Sequence, residues 1–160
     1  MFTGKNKIDE GRGNATQYVI LEKTVVNFAF DNKEETWDSI AGRIRGTSNE
    51  TAKDYVANNR SKGTLTASLD LKSKYSLFSD EEEKKVFRNG SDGWSEFYKK
   101  YPGSDGYIGF SRVGFNKSRD EALVYVDHGC GGLCGTGHYV LLVKNGKGWA
   151  VKAKSMAWIS

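Results

Sequence analysis

The amino-acid sequence predicts an α+β fold in which N-terminal helices pack on a C-terminal antiparallel meander of four strands. Three patterns in the chain of 160 residues support this prediction. Apolar residues recur at helical spacing in the first half, alternate with polar residues near residues 64–78, and form continuous runs in the last third. Helical and strand regions that are separate along the chain are typical of α+β domains.

The first half of the chain predicts helices. The apolar segment at residues 18–30 predicts one helix that can end in a strand. The next apolar residues follow the i, i+3, i+4, i+7 spacing of an amphipathic helix, and they are Trp37, Ile40, Ala41 and Ile44. Thr47 and Glu50 have the spacing of a capping box, so a further short helix is expected to begin there.

Strict alternation of apolar and polar residues follows these helices. It predicts a half-buried strand near residues 64–78, the one strand expected outside the meander. Ser79 and Glu82 then form a second capping box, and residues 80–83 are all acidic. Because the amino end of a helix favours negative charge, these acids indicate a solvated helix start rather than a metal site.

An aromatic stripe at helical spacing comes next. It consists of Trp94, Phe97, Tyr98 and Tyr101. Core packing is the favoured interpretation of such a stripe, because large aromatic side chains contribute most of their stabilisation when they are buried. A platform on which bases or sugars stack is the alternative.

The last third predicts the meander. Its four strands are expected at residues 107–115, 122–126, 139–143 and 149–159, with a turn at 116–121. The sequence Asn145-Gly-Lys-Gly148 favours a hairpin turn, because asparagine and glycine tolerate positive φ. The second and third strands are apolar on both faces, which is typical of central strands.

Composition sets the class of protein. The length predicts a single domain over residues 1–160, with residues 1–14 as a flexible N-terminal segment. With 38% apolar residues the chain is expected to fold, and a net charge of +4 is not by itself a nucleic-acid signature. No apolar run approaches the roughly 20 residues of a membrane span.

The segment from His128 to His138 contains both histidines and both cysteines of the chain. The favoured interpretation is a disulfide between Cys130 and Cys134, because the glycines between them allow a tight loop. Two unpaired structural thiols are the next alternative. No cofactor is expected.

Zinc is the less favoured alternative for this segment. His128, Cys130, Cys134 and His138 supply two imidazoles and two thiolates, which is a legitimate tetrahedral set. Structural zinc sites usually join two short ligand motifs across a longer insertion, so four ligands in one short loop would be cramped.

A cysteine-dependent hydrolase is the enzyme alternative, with Cys134 or Cys130 as nucleophile and His138 as base. The sequence at 137–140 and 145–149 resembles the histidine strand and hairpin of papain-like and ubiquitin-specific proteases. Those families bring their cysteine from a distant helix, and this chain has no such cysteine. Lysines at 152 and 154 flank the position where their orienting acid is expected.

The C-terminal hairpin is basic. It carries Lys144, Lys147, Lys152 and Lys154, with Trp149 among them and no acid from residue 139 onward. Lysines that protect an edge strand beside a core tryptophan are the favoured interpretation. Binding of nucleic acid or of an acidic partner through these residues is the alternative.

A family resemblance covers residues 94–160. The residues that carry it are Trp94, Phe97, Tyr98, Tyr101, Pro102, the run SRVGFN at 111–116, the run ALVYV at 122–126, the run CGGLCG at 130–135, Gly137, Tyr139 and Trp158. With them the chain resembles a group of uncharacterised, mostly bacterial proteins, many of which are exported. The resemblance implies an exported protein whose leader has been removed, and it implies no function. Relatives with Ser or Ala in place of the two cysteines imply that the thiols are not the essential chemistry.

The sequence therefore favours a non-catalytic binding or interaction module, whose tip at residues 128–138 has a functional or stabilising role. No complete set of nucleophile, base and acid is recognisable. A protein or a small molecule is the expected partner, and nucleic acid is the alternative. Export to the periplasm or the cell exterior is expected, with a cytoplasmic location left open.

Overall fold

The protein is seen in a computed structural model that describes residues 16–26, 36–65, 69–88 and 93–160. In chain order the elements of these residues are β1 (Tyr18–Leu21), α1 (Trp37–Arg43), α2 (Asn49–Asn58), β2 (Tyr75–Phe78), α3 (Asp80–Phe87), α4 (Gly93–Lys100), β3 (Tyr107–Phe110), β4 (Gly114–Phe115), β5 (Glu121–Gly131), β6 (Cys134–Asn145) and β7 (Gly148–Ile159). The predicted flexible segment at residues 1–14 lies outside the described residues.

One sheet joins the seven strands of the described chain. Its order is β2-β1-β3-β5-β6-β7, and β4 pairs with β5. β1 is parallel to β2 and β3, whereas the other pairs are antiparallel. The α+β class with a mainly antiparallel sheet is therefore confirmed.

The four-stranded meander is not what forms, because the first predicted strand is broken. Residues 107–115 form the two short strands β3 and β4. Asn59, which follows α2, accepts a hydrogen bond from the Arg112 amide (2.9 Å) and donates one to the Arg112 carbonyl (2.9 Å). These two bonds take the place of the backbone hydrogen bonds that Arg112 would make to a neighbouring strand, so the chain leaves the sheet at Arg112. Only β5, β6 and β7 follow one another as a meander.

The N-terminal apolar segment forms strand β1, so the predicted helix is wrong at residues 18–21. β1 lies between β2 and β3, and Val19 and Ile20 are 0% and 2% exposed. An apolar run of this length has no periodicity that distinguishes a strand buried on both faces from a helix. Residues 27–30 of the predicted segment lie outside the described residues.

The strand predicted near residues 64–78 is shorter than expected. It is β2, which covers only Tyr75–Phe78. Upstream of it, Thr64 forms a single bridge with Lys23, and residues 66–68 lie outside the described residues. Leu71 is 45% exposed, so the alternation there does not produce a buried face.

The helix and turn signals are largely confirmed. The capping box of Ser79 and Glu82 begins α3. Ser48 rather than Thr47 caps α2, because the Ser48 hydroxyl accepts the Thr51 amide hydrogen at 3.2 Å. The predicted hairpin turn joins β6 to β7, with φ of 63° at Gly146.

Two apolar clusters connect the helices to the sheet. Helices α1 and α2 contribute to the first cluster, whose buried members are Ile40, Ile44, Ala52, Tyr55, Leu123, Tyr125, Tyr139 and Leu141. Helices α3 and α4 cover the second, whose buried members are Val19, Phe78, Phe97 and Tyr101. The aromatic stripe of α4 is therefore core, as the favoured interpretation has it.

Both clusters lie on the same face of the sheet. Val19 pairs with Tyr107, and Tyr107 pairs with Gly129 on β5. Because residues two apart on a strand share a face, Gly129 lies on the same side as Tyr125 and the first cluster. The four described helices thus form one layer over one face.

The opposite face, called the open face below, has none of the described helices packed on it. Eight large apolar side chains of the described chain are strongly exposed, and the ladder places five of them on this face: Leu77, Trp149, Val151, Met156 and Ile159. Between them lie the half-buried residues Val124, Val126, Val140 and Leu142. The central strands β5 and β6 are fully covered on the helical face, with Val124, Val126, Val140 and Leu142 half-buried on the open face, where the sequence predicts cover on both sides or nearly so; Ile20 of β1 is buried on the open face too.

Candidate functional site

The hairpin that joins β5 to β6 carries the two cysteines. The sulfur atoms of Cys130 and Cys134 lie at disulfide distance, with Cα atoms 5.1 Å apart, which is within the range that a disulfide requires. Leu133, between them, is 91% exposed at the tip. This geometry fits the disulfide interpretation of the sequence.

The tip is fixed to the helical layer. The Tyr98 hydroxyl of α4 donates a hydrogen bond to the Cys130 carbonyl oxygen at 2.9 Å. Burial raises the pKa of Tyr98, and the charge of Asp105 adds to that rise. His128 Nε2 contacts the carbonyl oxygen of Asp105, just before β3. These contacts favour a stabilising role for the tip.

The predicted zinc ligands do not form one cluster. His128 pairs with Thr136, whereas His138 pairs with Val126, so the two imidazoles are two residue pairs apart along the ladder. Sulfur atoms that are bonded to each other are not thiolate ligands. Across the described ranges, no group of three or more His, Cys, Asp or Glu residues is placed to hold a metal ion.

The hydrolase alternative gains no support from the geometry. Cys134 and His138 lie four residues apart on β6, which places their Cα atoms about 13 Å apart in an extended strand. Cys130 follows the pair that Gly129 forms with Gly135, so it is no closer to His138. A nucleophile and its base need to be within hydrogen-bond reach of each other.

The Lys152 side chain of the basic hairpin makes its contacts on the helical side of the sheet. Its Nζ donates to the Gly46 carbonyl oxygen at 2.9 Å and lies 3.5 Å from Glu121 Oε2. Both partners belong to the helical side of the sheet. One of the four predicted binding lysines therefore has a structural partner.

The other lysines of the hairpin stay exposed. Lys144 Nζ lies 5.7 Å from the centre of the Trp149 ring, and Lys147 and Lys154 are exposed. Trp149 is 43% exposed and lies 6.0 Å from Phe115, on the open face. Because β7 is an edge strand, its lysines fit the edge-protection interpretation, whereas Trp149 is not core.

A pocket that the sequence interpretation missed lies where the two apolar clusters meet. Its volume is about 160 Å³. Asp127 of β5 lies on the sheet side, and the apolar walls are Leu21, Val25 and Tyr107. The charged residues that line the rest of it are Lys23, Lys62, Asp80 and Glu83.

The Asp127 carboxylate is poorly solvated. Its Oδ1 atom is buried and has no hydrogen-bond partner. Burial raises the pKa of Asp127 to about 6; the Glu83 charge adds to this rise, while Lys62 and the backbone amides of Gly109 and Asp127 oppose it. Burial, with the charges of Asp127 and Glu83, also raises the pKa of Tyr107 to about 12. A buried, perturbed carboxylate in a pocket is a candidate functional group.

Asp127 had a signal in the sequence. Leu123 and Tyr125 occupy alternate positions of an apolar run, and Asp127 continues that alternation. The predicted strand ends at residue 126, which placed Asp127 in a turn, whereas β5 continues to Gly131. The clue is an acidic residue that shares a strand face with buried residues. It was missed because the predicted strand is too short to include residue 127.

None of the helices in the described ranges is both long and apolar enough to cross a bilayer. Comparison with protein-family models, with curated proteins and with solved structures gave no match for this chain. The resemblance to exported bacterial proteins therefore stays a prediction, and the function has to be argued from the residues of this chain.

Proposed function

We propose that this protein is a non-catalytic binding module that docks an acidic, amphipathic segment of a partner protein on its open face. The observation that carries the proposal is the concentration of exposed apolar side chains there. Trp149, Val151 and Met156 are 43%, 52% and 57% exposed, and all three belong to β7. A contiguous apolar surface is typical of an interaction site.

The charge of the open face favours an acidic partner. The alternation of the described strands places no Asp or Glu on this face, because Glu121 and Asp127 both lie on the helical side. Lys144 and Lys154 lie on the open face, and the Arg119 guanidinium lies 5.4 Å from the Phe115 ring. Complementary charge selects partners and speeds their association.

A second copy of this chain is a poorer occupant. An interface between two open faces would bring lysines of both copies together. The strands of this face carry no carboxylate to pair with them, and the exposed Asp120 beside β5 already interacts with Lys144 of its own copy. Like charges that meet across an interface cost several kcal/mol. An acidic segment with an apolar side satisfies both the lysines and the apolar residues.

The side chains of the open face suit a protein ligand. Tryptophan is enriched among the residues that contribute most to interfaces, and methionine adapts to differently shaped partners. Nucleic-acid binding would use Lys144, Lys147, Lys152, Lys154 and Trp149, but the hydrogen bond from Lys152 to the Gly46 carbonyl oxygen removes one cation from that set.

The proposal includes export. Disulfides persist in oxidising compartments, and the sulfur atoms of Cys130 and Cys134 lie at disulfide distance. Export agrees with the resemblance to exported proteins and places the partner outside the cytoplasm.

The test uses two fluorescent peptides of about 18 residues, long enough to form a helix on binding. One has a leucine face and a glutamate face, and the other replaces every glutamate with lysine. We expect anisotropy to show that the glutamate peptide binds at least about tenfold more tightly, because only its charge complements the open face.

Variants locate the binding surface. Val151→Glu combined with Met156→Glu is expected to weaken binding of the glutamate peptide by about tenfold or more. Leu133→Glu is the control for each added carboxylate, since it places one glutamate at a residue that is more exposed and lies outside the open face. Equal binding of both peptides, preference for single-stranded DNA, dimerisation of the chain through this face, or loss of binding only with Leu133→Glu would each contradict the proposal.

A further inference from the structure

One corner of the open face combines two aromatic rings with two cations. The ring centres of Phe115 on β4 and Trp149 on β7 lie 6.0 Å apart. The Arg119 guanidinium lies 5.4 Å from the centre of the Phe115 ring, and Lys144 Nζ lies 5.7 Å from the centre of the Trp149 ring. These four residues, called the aromatic corner below, come from separate segments of the chain that the folded sheet brings together.

The rings of the aromatic corner lie on a packed part of the sheet. Phe115 pairs with Ala122 of β5, and Ala122 pairs with Leu142 of β6. Ala122 is 2% exposed although it lies on the open face, so neighbouring side chains cover it. A cation that is already held over such a ring loses less freedom when a ligand binds.

Arg119 is the cation of this corner that keeps its charge for a ligand. Within the part of the chain that the structure describes, its guanidinium forms no ion pair. Lys144, in contrast, lies near Asp120. Hydrogen bonds from Asn116 and Ser118 lower the pKa of Asp120, and the charge of Lys144 adds to that effect. Lys144 is therefore partly neutralised within the protein.

The shape of the guanidinium group selects the chemistry of the ligand. Its N–H donors form a planar fork that matches the two oxygens of one carboxylate, whereas an ammonium group has no such fork. The neighbouring Trp149 ring is 43% exposed and offers apolar surface to the side chain beside that carboxylate. The corner thus suits an acidic residue that has an apolar neighbour.

The aromatic corner occupies one end of the open face, and the other end is apolar. Along β7 the exposed side chains of this face begin with Trp149 and end with Met156 and Ile159, with Lys154 between them. Met156 and Ile159 are 57% and 66% exposed. A segment that has one acidic end and one apolar end therefore has a favoured orientation on this face.

We propose that Arg119 binds one carboxylate of the docked segment at the aromatic corner. This contact orients the segment, with its acidic end at the corner and its apolar end over Met156 and Ile159. The inference rests on the proposed function, since it requires a segment docked on the open face. It narrows the class of partner to segments whose acidic residues are grouped at one end, beside an apolar side chain that packs on Trp149.

The experiment compares two peptides of about 18 residues with identical composition. The grouped peptide has its glutamates at one end and its leucines at the other, whereas the mixed peptide spreads both along its length. We expect anisotropy to show at least about fivefold tighter binding of the grouped peptide. A nitroxide label on its acidic end should broaden the ¹⁵N amide resonances of Arg119 and Trp149, and a label on its leucine end those of Met156 and Ile159.

Variants test the assigned contact. Arg119→Gln changes an exposed residue and should weaken binding of the grouped peptide by about tenfold. Arg119→Lys should restore only part of the affinity, because it returns the charge without the fork. Lys117→Gln is the matched control in the same turn, since Lys117 Nζ lies 3.4 Å from Glu50 of α2 on the helical side. It should change the affinity by less than about twofold.

The outcomes distinguish this inference from the function on which it rests. If neither peptide binds, both fail. If the grouped peptide binds no more tightly than the mixed one, or if the labels show the reverse orientation or no preferred one, only the inference fails. Unchanged binding to Arg119→Gln, full affinity with Arg119→Lys, or an equal loss with Lys117→Gln would likewise overturn the assigned contact while the proposed function stands.

Discussion

Gly109 lies directly opposite Asp127 in the β3–β5 ladder, and the absent side chain of Gly109 leaves the room that the buried Asp127 oxygen occupies. The residue pair thus accommodates a buried carboxylate at a cost in stability. A carboxylate without a hydrogen-bond partner destabilises the fold, and it persists where a ligand or a function requires it.

Asp127→Asn should stabilise the unliganded protein at neutral pH. The folded-state pKa of Asp127 is about 6, above its ordinary 3.8, so ionisation costs stability as the pH rises from 3.8 to 6. We expect a gain of about 3 kcal/mol at neutral pH, and no gain at a pH well below 3.8, where both states are protonated. Urea unfolding at both pH values measures it. An unchanged or lower free energy of unfolding at neutral pH would mean that Oδ1 has a satisfactory partner.

Gly137→Ala should be strongly destabilising. A Cβ atom at Gly137 would overlap the indole nitrogen of Trp158 and the hydroxyl oxygen of Tyr125, which form a hydrogen bond with each other. Overpacking of this kind costs about 2 kcal/mol. Thermal or urea unfolding gives the value.

The control for that substitution is Gly132→Ala. No atom lies within 4 Å of the Cβ position at Gly132, in the hairpin tip. We expect a change of less than about 0.5 kcal/mol. Equal effects of the two substitutions would show that Trp158 and Tyr125 do not restrict residue 137.

Replacement of both Cys130 and Cys134 by serine should cost about 2 kcal/mol, according to the entropy of closing so short a loop. Any structural change should be confined to the tip, because the Tyr98 hydroxyl of α4 still donates a hydrogen bond to the carbonyl oxygen of residue 130. Urea unfolding of the oxidised protein and of the double variant measures it.

Thiol titration in denaturant checks whether Cys130 and Cys134 form a disulfide. Protein made in an oxidising compartment should show no free thiol before reduction and two afterwards, since the chain has two cysteines. Two free thiols before reduction would exclude the disulfide and reopen the hydrolase and zinc alternatives.

Glu121→Gln should destabilise the protein at neutral pH. Glu121 Oε1 accepts hydrogen bonds from the Ser48 amide and the Thr51 hydroxyl, each at 2.8 Å, so β5 anchors the start of α2. Burial raises the pKa of Glu121, but these bonds and Lys152 outweigh it and hold the pKa below its ordinary 4.5. The contribution, about 1 kcal/mol, is present above pH 4.5 and is lost as the pH falls through the lower folded pKa.

Glu50→Gln is the control for that substitution. Its carboxylate is 51% exposed and lies 3.4 Å from Lys117 Nζ, so its ion pair is solvated. Urea unfolding at neutral pH should show little change for this variant. Equal losses for the two substitutions would mean that Glu121 acts only as a surface charge.

Local signals in the sequence were sufficient for several elements. The capping box of Ser79 and Glu82, the amphipathic spacing of α1 and the turn at Gly146 each depend on residues within about four positions of one another. The position of the cysteines in one short segment was likewise visible. Asp127 was missed although it continues the alternation of Leu123 and Tyr125, because the predicted strand ends at residue 126 and β5 extends beyond its apolar run.

The sequence by itself determined the fold class, most helix starts and the strands of the C-terminal hairpins, because these follow from propensity, periodicity and turn chemistry. Only the tertiary structure decided that residues 18–21 form a strand, because β2 and β3 supply its partners. Only it decided that Asn59 breaks the first strand at Arg112, and that Asp127 is buried opposite Gly109 beside a pocket. These outcomes depend on contacts between residues far apart in the chain, and no local pattern encodes which partner a distant segment provides.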